Sequence, residues 1–252
     1  MSRKINGAAF VRFLKWSQEP LLTIGFVIFA SSAIAQPFYV PSGSMEPTLQ
    51  IGDYLVGNKY VYGYSRYSLP YGIGPASETR LFGKMPARGD VVVFRLPRDP
   101  RITYVKRVIG LPGDCVQMVS GRLFLNGNIV PLRSAGIDTV EDADGNRHPI
   151  GKFIEVLPGG EQHVLFKMQW NGPLDDTSTY VVPANHVFVM GDNRDNSLDS
   201  RVPPDEGGVG FVPVENIMAR ADFTVASFDF LNAHSIASWF HDIRVSRFFR
   251  AI

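Results

Sequence analysis

One long apolar run near the N-terminus is the first feature of the pattern of hydrophobic and polar positions. Residues Leu21–Ala35 carry no charge, and with residues 36–40 the run reaches about 20 residues. A helix of that length, at ~1.5 Å per residue, spans the ~30 Å hydrocarbon layer of a membrane. The pattern therefore predicts one transmembrane anchor over residues 20–38, after a cytoplasmic tail of residues 1–19.

The residues flanking this run predict its orientation. Residues 1–18 contain four basic residues and no acidic one. The positive-inside rule then predicts a cytoplasmic N-terminus and an extracytoplasmic domain over residues 39–252. A cleavable signal peptide is the alternative, since Ala33-Ile34-Ala35 resembles an A-x-A cleavage site. We expect the run to be retained, because it can stay helical in lipid and Pro37 removes a backbone donor just beyond the potential cut.

Downstream of the run, short apolar segments alternate with turn signals, which is typical of β structure. Buried strands are predicted at residues 91–94, 103–109 and 187–190. A Pro-Gly turn follows the second of them, and Ser-Gly and Asn-Gly pairs within residues 115–130 indicate hairpins. Because strands do not alternate with helices, the chain is predicted to be mostly β.

Two segments have a less regular pattern. Residues 131–185 are largely polar, and we predict an inserted β region or cap there. Near the C-terminus, Ile236, Trp239, Phe240 and Ile243 fall at helical spacing, close to Arg244, Arg247 and Arg250. This tail is interpreted either as a terminal helix packed on the domain or as a basic helix lying on anionic lipid.

Composition and charge exclude several function classes. The 25 Lys and Arg nearly balance the 24 Asp and Glu, so the net charge of +1 gives no sign of a nucleic-acid partner. The single cysteine, Cys115, excludes an internal disulfide and a cysteine-rich metal site. The five histidines form no His-Glu-x-x-His motif, the pattern of zinc peptidases. Neither a metal nor another cofactor is predicted.

The candidate nucleophile lies directly after the apolar run, in Ser42–Leu49. Pro41 and Pro47 restrict the backbone around two serines, which indicates a stiff, non-helical loop. A hydroxyl becomes a nucleophile when a base lies within hydrogen-bond reach, and buried lysines can serve because burial lowers their pKa. Lys106 is the candidate, since it shares a strand face with Tyr104 and a valine. On spacing alone, a surface lysine is the more common outcome.

Three segments resemble the signature boxes of bacterial type I signal peptidases, and they occur in the order of that family. They are Ser42–Leu49, Lys106–Asp114 and Gly191–Ser197, with Arg88–Phe94 as a fourth, weaker match. The chain differs from the enterobacterial members, which have two spans and a cysteine pair. The resemblance implies a mostly β, signal-peptidase-like domain behind the membrane anchor.

The same resemblance implies roles for individual residues. Ser44 would be the nucleophile and Lys106 the general base. The hydroxyl of Ser42 and the backbone N–H of Ser44 would donate to the oxyanion, as two aligned donors stabilise a developing negative charge.

Residues in the third segment and just after it have supporting roles in this resemblance. The resemblance implies that Ser197 hydrogen-bonds the amine of Lys106, and that Asp199 and Arg201 form an ion pair shaping this loop. A calcium loop is the rival interpretation, because Asp195, Ser197, Asp199 and Glu206 fit part of its spacing. That frame lacks its required glycine and is interrupted by two prolines, so we expect no metal there.

The resemblance implies a membrane-anchored serine endopeptidase that removes signal peptides after small residues. Exported preproteins and membrane lipid are the expected partners, the chain is expected to be monomeric, and the expected place is the bacterial cytoplasmic membrane. A specialised Ser-Lys maturation peptidase of the same fold is one alternative. A non-catalytic, membrane-anchored binding protein is the other.

Overall fold

The computed structural model describes residues 20, 22–27, 34–68, 80–141, 146–228 and 243–252. Within these residues the fold is mostly β, as the sequence predicts. The strands are β1 (Ala35–Tyr39), β2 (Asp53–Asn58), β3 (Val91–Leu96), β4 (Asp99–Gly110), β5 (Cys115–Val119), β6 (Arg122–Leu125), β7 (Asn128–Ile129), β8 (Leu132–Glu141), β9 (Arg147–Val156), β10 (Gln162–Lys167), β11 (Tyr180–Val181), β12 (His186–Met190), β13 (Val212–Pro213), β14 (Ile217–Ser227) and β15 (Arg250–Ala251). Short 3-10 helices cover Gly43–Met45, Tyr60–Tyr62, Pro204–Glu206, Val214–Asn216 and Val245–Arg247.

The main sheet carries the three signature segments. Its strand order is β1-β2-β14-β3-β4-β12-β13, with β15 added beside β14, and its neighbouring strands are antiparallel. β3 contains the predicted strand at residues 91–94, and β4 contains the one at residues 103–109; the two pair as an antiparallel hairpin. This sheet places the end of β1, the middle of β4 and the end of β12 close together.

The two faces of the main sheet pack against different apolar clusters. Along β3, Val92 and Phe94 belong to one cluster, while Val91 and Val93 belong to another. The alternation is the ordinary period of a strand whose faces are both buried. Such a strand has a continuous apolar sequence, which is why residues 91–94 are predictable.

Two smaller sheets lie between β4 and β12 in the sequence. One has the order β11-β5-β6-β7, and it includes the hairpins predicted within residues 115–130. The other has the order β10-β9-β8 and falls within the predicted cap region. Long strands occupy much of residues 132–167, so this segment is more regular than its polar sequence pattern indicates. We call β8–β10 the cap sheet.

The structure differs from the predicted anchor at its C-terminal end. The described helical residues here are Pro20, residues 22–27 and Ile34, whereas residues 35–39 form β1. β1 pairs with β2 along its whole length, from Ala35 opposite Asn58 to Tyr39 opposite Tyr54. Residues 35–38 are therefore part of the main sheet, as its edge strand paired with β2. No helix within the described residues is long and apolar enough to cross a membrane.

Two of the three arginines of the C-terminal tail are held by contacts with the domain. Arg247 is buried and donates to the Asp53 carboxylate and the Thr48 carbonyl, and Arg244 donates to the Ile51 carbonyl. Arg250 is the exposed member of the three. These contacts favour packing on the domain for residues 243–252, although these residues form a 3-10 helix and β15 instead of the predicted terminal helix. Residues 236–240, on which the helical spacing rests, lie outside the described residues.

Candidate active site

Ser44 lies in a tight turn between β1 and β2. The turn is the 3-10 helix Gly43–Met45, entered from an extended Ser42 and followed by the rigid Pro47. Met45 and Leu49 are buried in the apolar cluster below, which anchors both ends of the turn. The Ser44 side chain remains partly exposed and lines a groove.

Lys106 reaches this turn from the middle of β4. Its side chain is only 3% exposed, and its Nζ lies 2.6 Å from the Ser44 Oγ. The amine is also 5.4 Å from the centre of the Tyr104 ring, on the strand face that the sequence predicts for both residues. Burial lowers the pKa of Lys106 to about 8, although the carboxylates of Asp199 and Asp192 act to raise it. A substantial neutral fraction is therefore present near physiological pH.

Ser42 directly precedes the 3-10 helix that contains Ser44, and its side chain is exposed. Its Oγ lies 3.4 Å from the Ser44 Oγ. A hydroxyl at this position can rotate toward an oxygen bound beside Ser44, which is the geometry that an oxyanion donor needs.

We expect Ser42→Ala to slow peptide cleavage without abolishing it. Losing one of two oxyanion donors typically costs about 10² to 10³ in kcat. The measurement is kcat and KM on one peptide substrate, with Ser65→Ala as a control hydroxyl outside the groove. A change in KM alone would contradict the oxyanion role and make Ser42 a substrate contact.

The loop after β12 completes the surroundings of the lysine. Asp199 and Arg201 are buried and form two hydrogen bonds, each 2.8 Å long. Ser197 lines the same groove as Ser44 and Lys106. Among the described residues, however, its hydroxyl forms no hydrogen bond to Lys106, so the bond implied between them is not formed in this structure. The hydroxyl instead lies close to Asp199, where it helps to keep the pKa of that carboxyl below its usual value.

This loop also supports the turn that carries Ser44 through its backbone. The Asn193 N–H donates to the Ser44 carbonyl at 3.1 Å, and its side-chain amide donates to the Gly43 carbonyl at 3.2 Å. A Cβ at Gly191 would overlap the Ser44 carbonyl oxygen and the Ser197 hydroxyl. Glycine is therefore required at position 191 by the close approach of the two segments.

A buried cluster of charges joins the loop to the rest of the domain. Arg107, on the strand face opposite Lys106, donates to both oxygens of Asp192 at 2.8 and 2.7 Å. Arg194 pairs with Glu155 of the cap sheet at 2.6 Å. His163 lies beside both carboxylates, and burial lowers its pKa to about 4, so its ring is neutral at pH 7. Because side chains alternate along β4, Lys106 faces the groove and Arg107 faces this buried cluster of charges.

The acidic residues of the rival calcium frame have other partners. Asp195 accepts a hydrogen bond from Lys167 at 3.1 Å and two from backbone amides, and Asp199 is paired with Arg201. Within the described ranges, no three His, Cys, Asp or Glu side chains are grouped so that they could hold a metal ion.

Comparison with known proteins identifies the family. The family model described as "Signal peptidase, peptidase S26" matches residues 13–226. The chain belongs to the signal peptidase family, peptidase S26. A relative named Signal peptidase I from Rickettsia akari is 39% identical over 215 residues, covering 82% of this chain and 77% of the relative. Another, from Rickettsia felis, is 36% identical over 234 residues, covering 86% and 85%.

The family membership confirms the resemblance found in the three signature segments. It also makes this member of the signal peptidase family a hydrolase of the serine endopeptidase class. A crystal structure of a signal peptidase I from Enterococcus faecalis V583 has 26% sequence identity and a TM-score of 0.32, covering 54% of this chain and 97% of that one.

The structure of this family member brings together most of the predicted site residues. Ser42, Ser44, Lys106 and Ser197 line one groove, and the Asp199–Arg201 pair is buried in the loop that carries Ser197. Sequence reasoning missed Asn193, which lies within the third signature segment and holds the turn that carries Ser44. Its partner Gly43 is 150 positions away, so no local spacing could have indicated the contact.

Proposed function

We propose that this chain cleaves signal peptides from exported preproteins with a catalytic dyad of Ser44 and Lys106. The observation that carries the proposal is the 2.6 Å approach of a buried lysine amine to the Ser44 hydroxyl. A serine becomes a nucleophile beside a base whose pKa is near the working pH, and burial supplies such a base here.

The reaction follows from this geometry. The neutral amine of Lys106 takes the proton of the Ser44 hydroxyl while the Ser44 oxygen attacks the carbonyl carbon of the scissile bond. The carbonyl oxygen becomes an oxyanion beside the Ser44 N–H and the Ser42 hydroxyl. The Lys106 ammonium then protonates the leaving amine, and the mature protein departs. Lys106 next takes a proton from a water molecule while the water oxygen attacks the carbonyl carbon of the acyl-enzyme. The bond to the Ser44 oxygen then breaks, the Lys106 ammonium returns the proton to that oxygen, and the signal peptide is released with a free carboxylate.

The groove has the form that an extended peptide requires. It has a volume of about 640 Å³, and it is lined by five consecutive residues of β4, Ile102–Lys106. Among the described strands, β12 pairs with β4 only at residues 107–110, so this part of the β4 edge has no neighbouring strand. A peptide can add to such an edge through main-chain hydrogen bonds. The apolar side chains Phe38, Leu55, Val93 and Val105 would then form shallow pockets for small residues before the cut.

The membrane setting is part of the proposal. The apolar run before β1 would hold the chain as a single-pass protein, with its N-terminus in the cytoplasm and its catalytic domain outside. β1 follows the run directly and leads to Ser44 within a few residues. This arrangement would place the groove where the cleavage site of a signal peptide leaves the membrane.

The test is cleavage of a preprotein by detergent-solubilised enzyme, measured from pH 5 to pH 10. Because only neutral Lys106 can accept the proton, kcat/KM should rise about tenfold per unit up to pH 8 and then level off. At about pH 7, roughly a tenth of the enzyme would be active. Absence of cleavage at every pH would overturn the proposed function. A rise governed only by a group near pH 6.5 would implicate a histidine instead of the dyad.

A further inference from the structure

A second wall of the groove comes from outside the main sheet. Leu174, from the segment after β10, and Leu198, next to Ser197, both line the groove that contains Ser44. Leu198 is 52% exposed, so an apolar side chain faces solvent beside the nucleophile. We call Leu174 and Leu198 the loop wall.

The loop wall lies on a defined side of β4. Val105 packs with the cluster that contains Val93, whereas Tyr104 packs with the cluster on the opposite face of the sheet. Lys106 shares the Tyr104 face. The loop that carries Leu198 packs on this face as well, since Val209 of the Tyr104 cluster donates its N–H to the Asp199 carbonyl at 3.3 Å. The loop wall is therefore on the Tyr104 side of the β4 edge, and the shallow pockets are on the Val105 side.

A buried ionic cluster fixes Leu174 in place. The Lys167 Nζ lies 2.5 Å from the Asp175 Oδ1 and 3.1 Å from the Asp195 Oδ1. Lys167 and Asp175 are both almost fully buried, and the Lys167 amine also lies 5.4 Å from the centre of the Trp170 ring. This cluster, which we call the latch, ties residues 168–175 to the loop that carries Ser197.

The latch is strengthened by the backbone on both sides. The second Asp195 oxygen accepts the N–H groups of Met168 and Gln169 at 2.6 and 3.0 Å, and the second Asp175 oxygen accepts the Gly172 N–H at 2.9 Å. Leu174 directly precedes Asp175, so its position follows that of the latch. A side chain held in this way loses little freedom when it contacts a ligand.

We propose that Leu174, held by the latch, contacts the substrate residue between the two small positions and favours a large apolar side chain there. The inference rests on the proposed function and on strand alternation. Side chains of an added strand point alternately to the two faces, so the first and third residues before the cut share one side. If those two residues fill the pockets on the Val105 side, the second residue faces Tyr104 and the loop wall.

The test compares peptides that are identical except at the second residue before the cut, which is Leu or Ala. We expect the wild-type enzyme to cleave the Leu peptide about tenfold better in kcat/KM, the usual scale for a few methylene groups in an apolar site. In Leu174→Ala the ratio of kcat/KM for the Leu peptide to kcat/KM for the Ala peptide should fall to about two, mainly because kcat/KM for the Leu peptide falls. Asp175→Asn should lower the ratio as well, because it loosens the latch without touching the groove.

Ile137→Ala is the matched control, since Ile137 is an apolar residue on the cap sheet that is 80% exposed and outside the groove. It should keep the wild-type ratio. Equal loss on both peptides in Leu174→Ala, or an unchanged ratio, would overturn the inference and leave the proposed function standing. Equal cleavage of the two peptides by the wild type would have the same consequence. No cleavage of either peptide by the wild type would overturn the proposed function and this inference with it.

Discussion

Ser44→Ala and Lys106→Met should each lower kcat/KM for a preprotein by at least about 10⁴-fold, because the nucleophile and the base of the proposed dyad act as one unit. Met keeps the length of the lysine stem and removes only the amine that lies 2.6 Å from the Ser44 Oγ. For the same reason, the double variant should be no slower than either single variant. The measurement is single-turnover cleavage, followed over several hours so that slow residual activity is detected.

Lys152→Met is the control for the loss of a lysine, since Lys152 pairs with Asp138 in the cap sheet, away from Ser44. It should cleave at nearly the wild-type rate. Lys106 is buried at a cost to its charged form, so its replacement by Met should not lower the thermal unfolding midpoint. A folded Lys106→Met protein that retains more than a few per cent of activity would rule out Lys106 as the base. Additive losses in the double variant would show that Ser44 and Lys106 act separately.

The pattern along β4 shows how far the sequence could predict this site. Alternation places Lys106 beside Tyr104 and sends Arg107 to the other face, and the structure has this arrangement. The pattern could not show which of the two cations meets a serine. That depends on where the turn after β1 is placed by β2 and the loop after β12, which are distant in the sequence.

The cap sheet shows why some strands escape sequence prediction. β8 and β9 have many exposed or half-buried positions, so their sequences lack the apolar alternation of a strand packed on a core. The start of β1 is wrongly predicted as helix for the opposite reason. A continuous apolar run has no period, and the change to strand at Ala35 is set by pairing with Asn58 of β2.

The final prediction concerns stability and uses two ion pairs of the same local geometry. In Asp199–Arg201 and in Asp99–Arg101, the guanidinium donates to both carboxylate oxygens at 2.8 Å. The backbone N–H of the same arginine also donates to the Oδ1 of the aspartate at 3.2 Å. The two pairs differ in burial, because Asp199 is fully buried and the Arg101 side chain is 89% exposed. Substituting each aspartate by asparagine therefore isolates the effect of burial on one arrangement of atoms.

Asp199→Asn should lower the free energy of unfolding by about 3–5 kcal/mol, the usual consequence of leaving one buried charge without its partner. Asparagine has an NH₂ group in place of one carboxylate oxygen, and this group is a donor only. It would face Arg201 or the Gly191 N–H, which themselves donate to Asp199, so a hydrogen bond is lost and two donors are brought together. Asp99→Asn should leave the unfolding midpoint close to that of the wild type, since water and salt screen an exposed pair. Urea unfolding of both variants in the same detergent provides the measurement. Equal losses in the two variants would show that burial is not the cause, and a stable Asp199→Asn protein would show that Arg201 finds another partner in the loop.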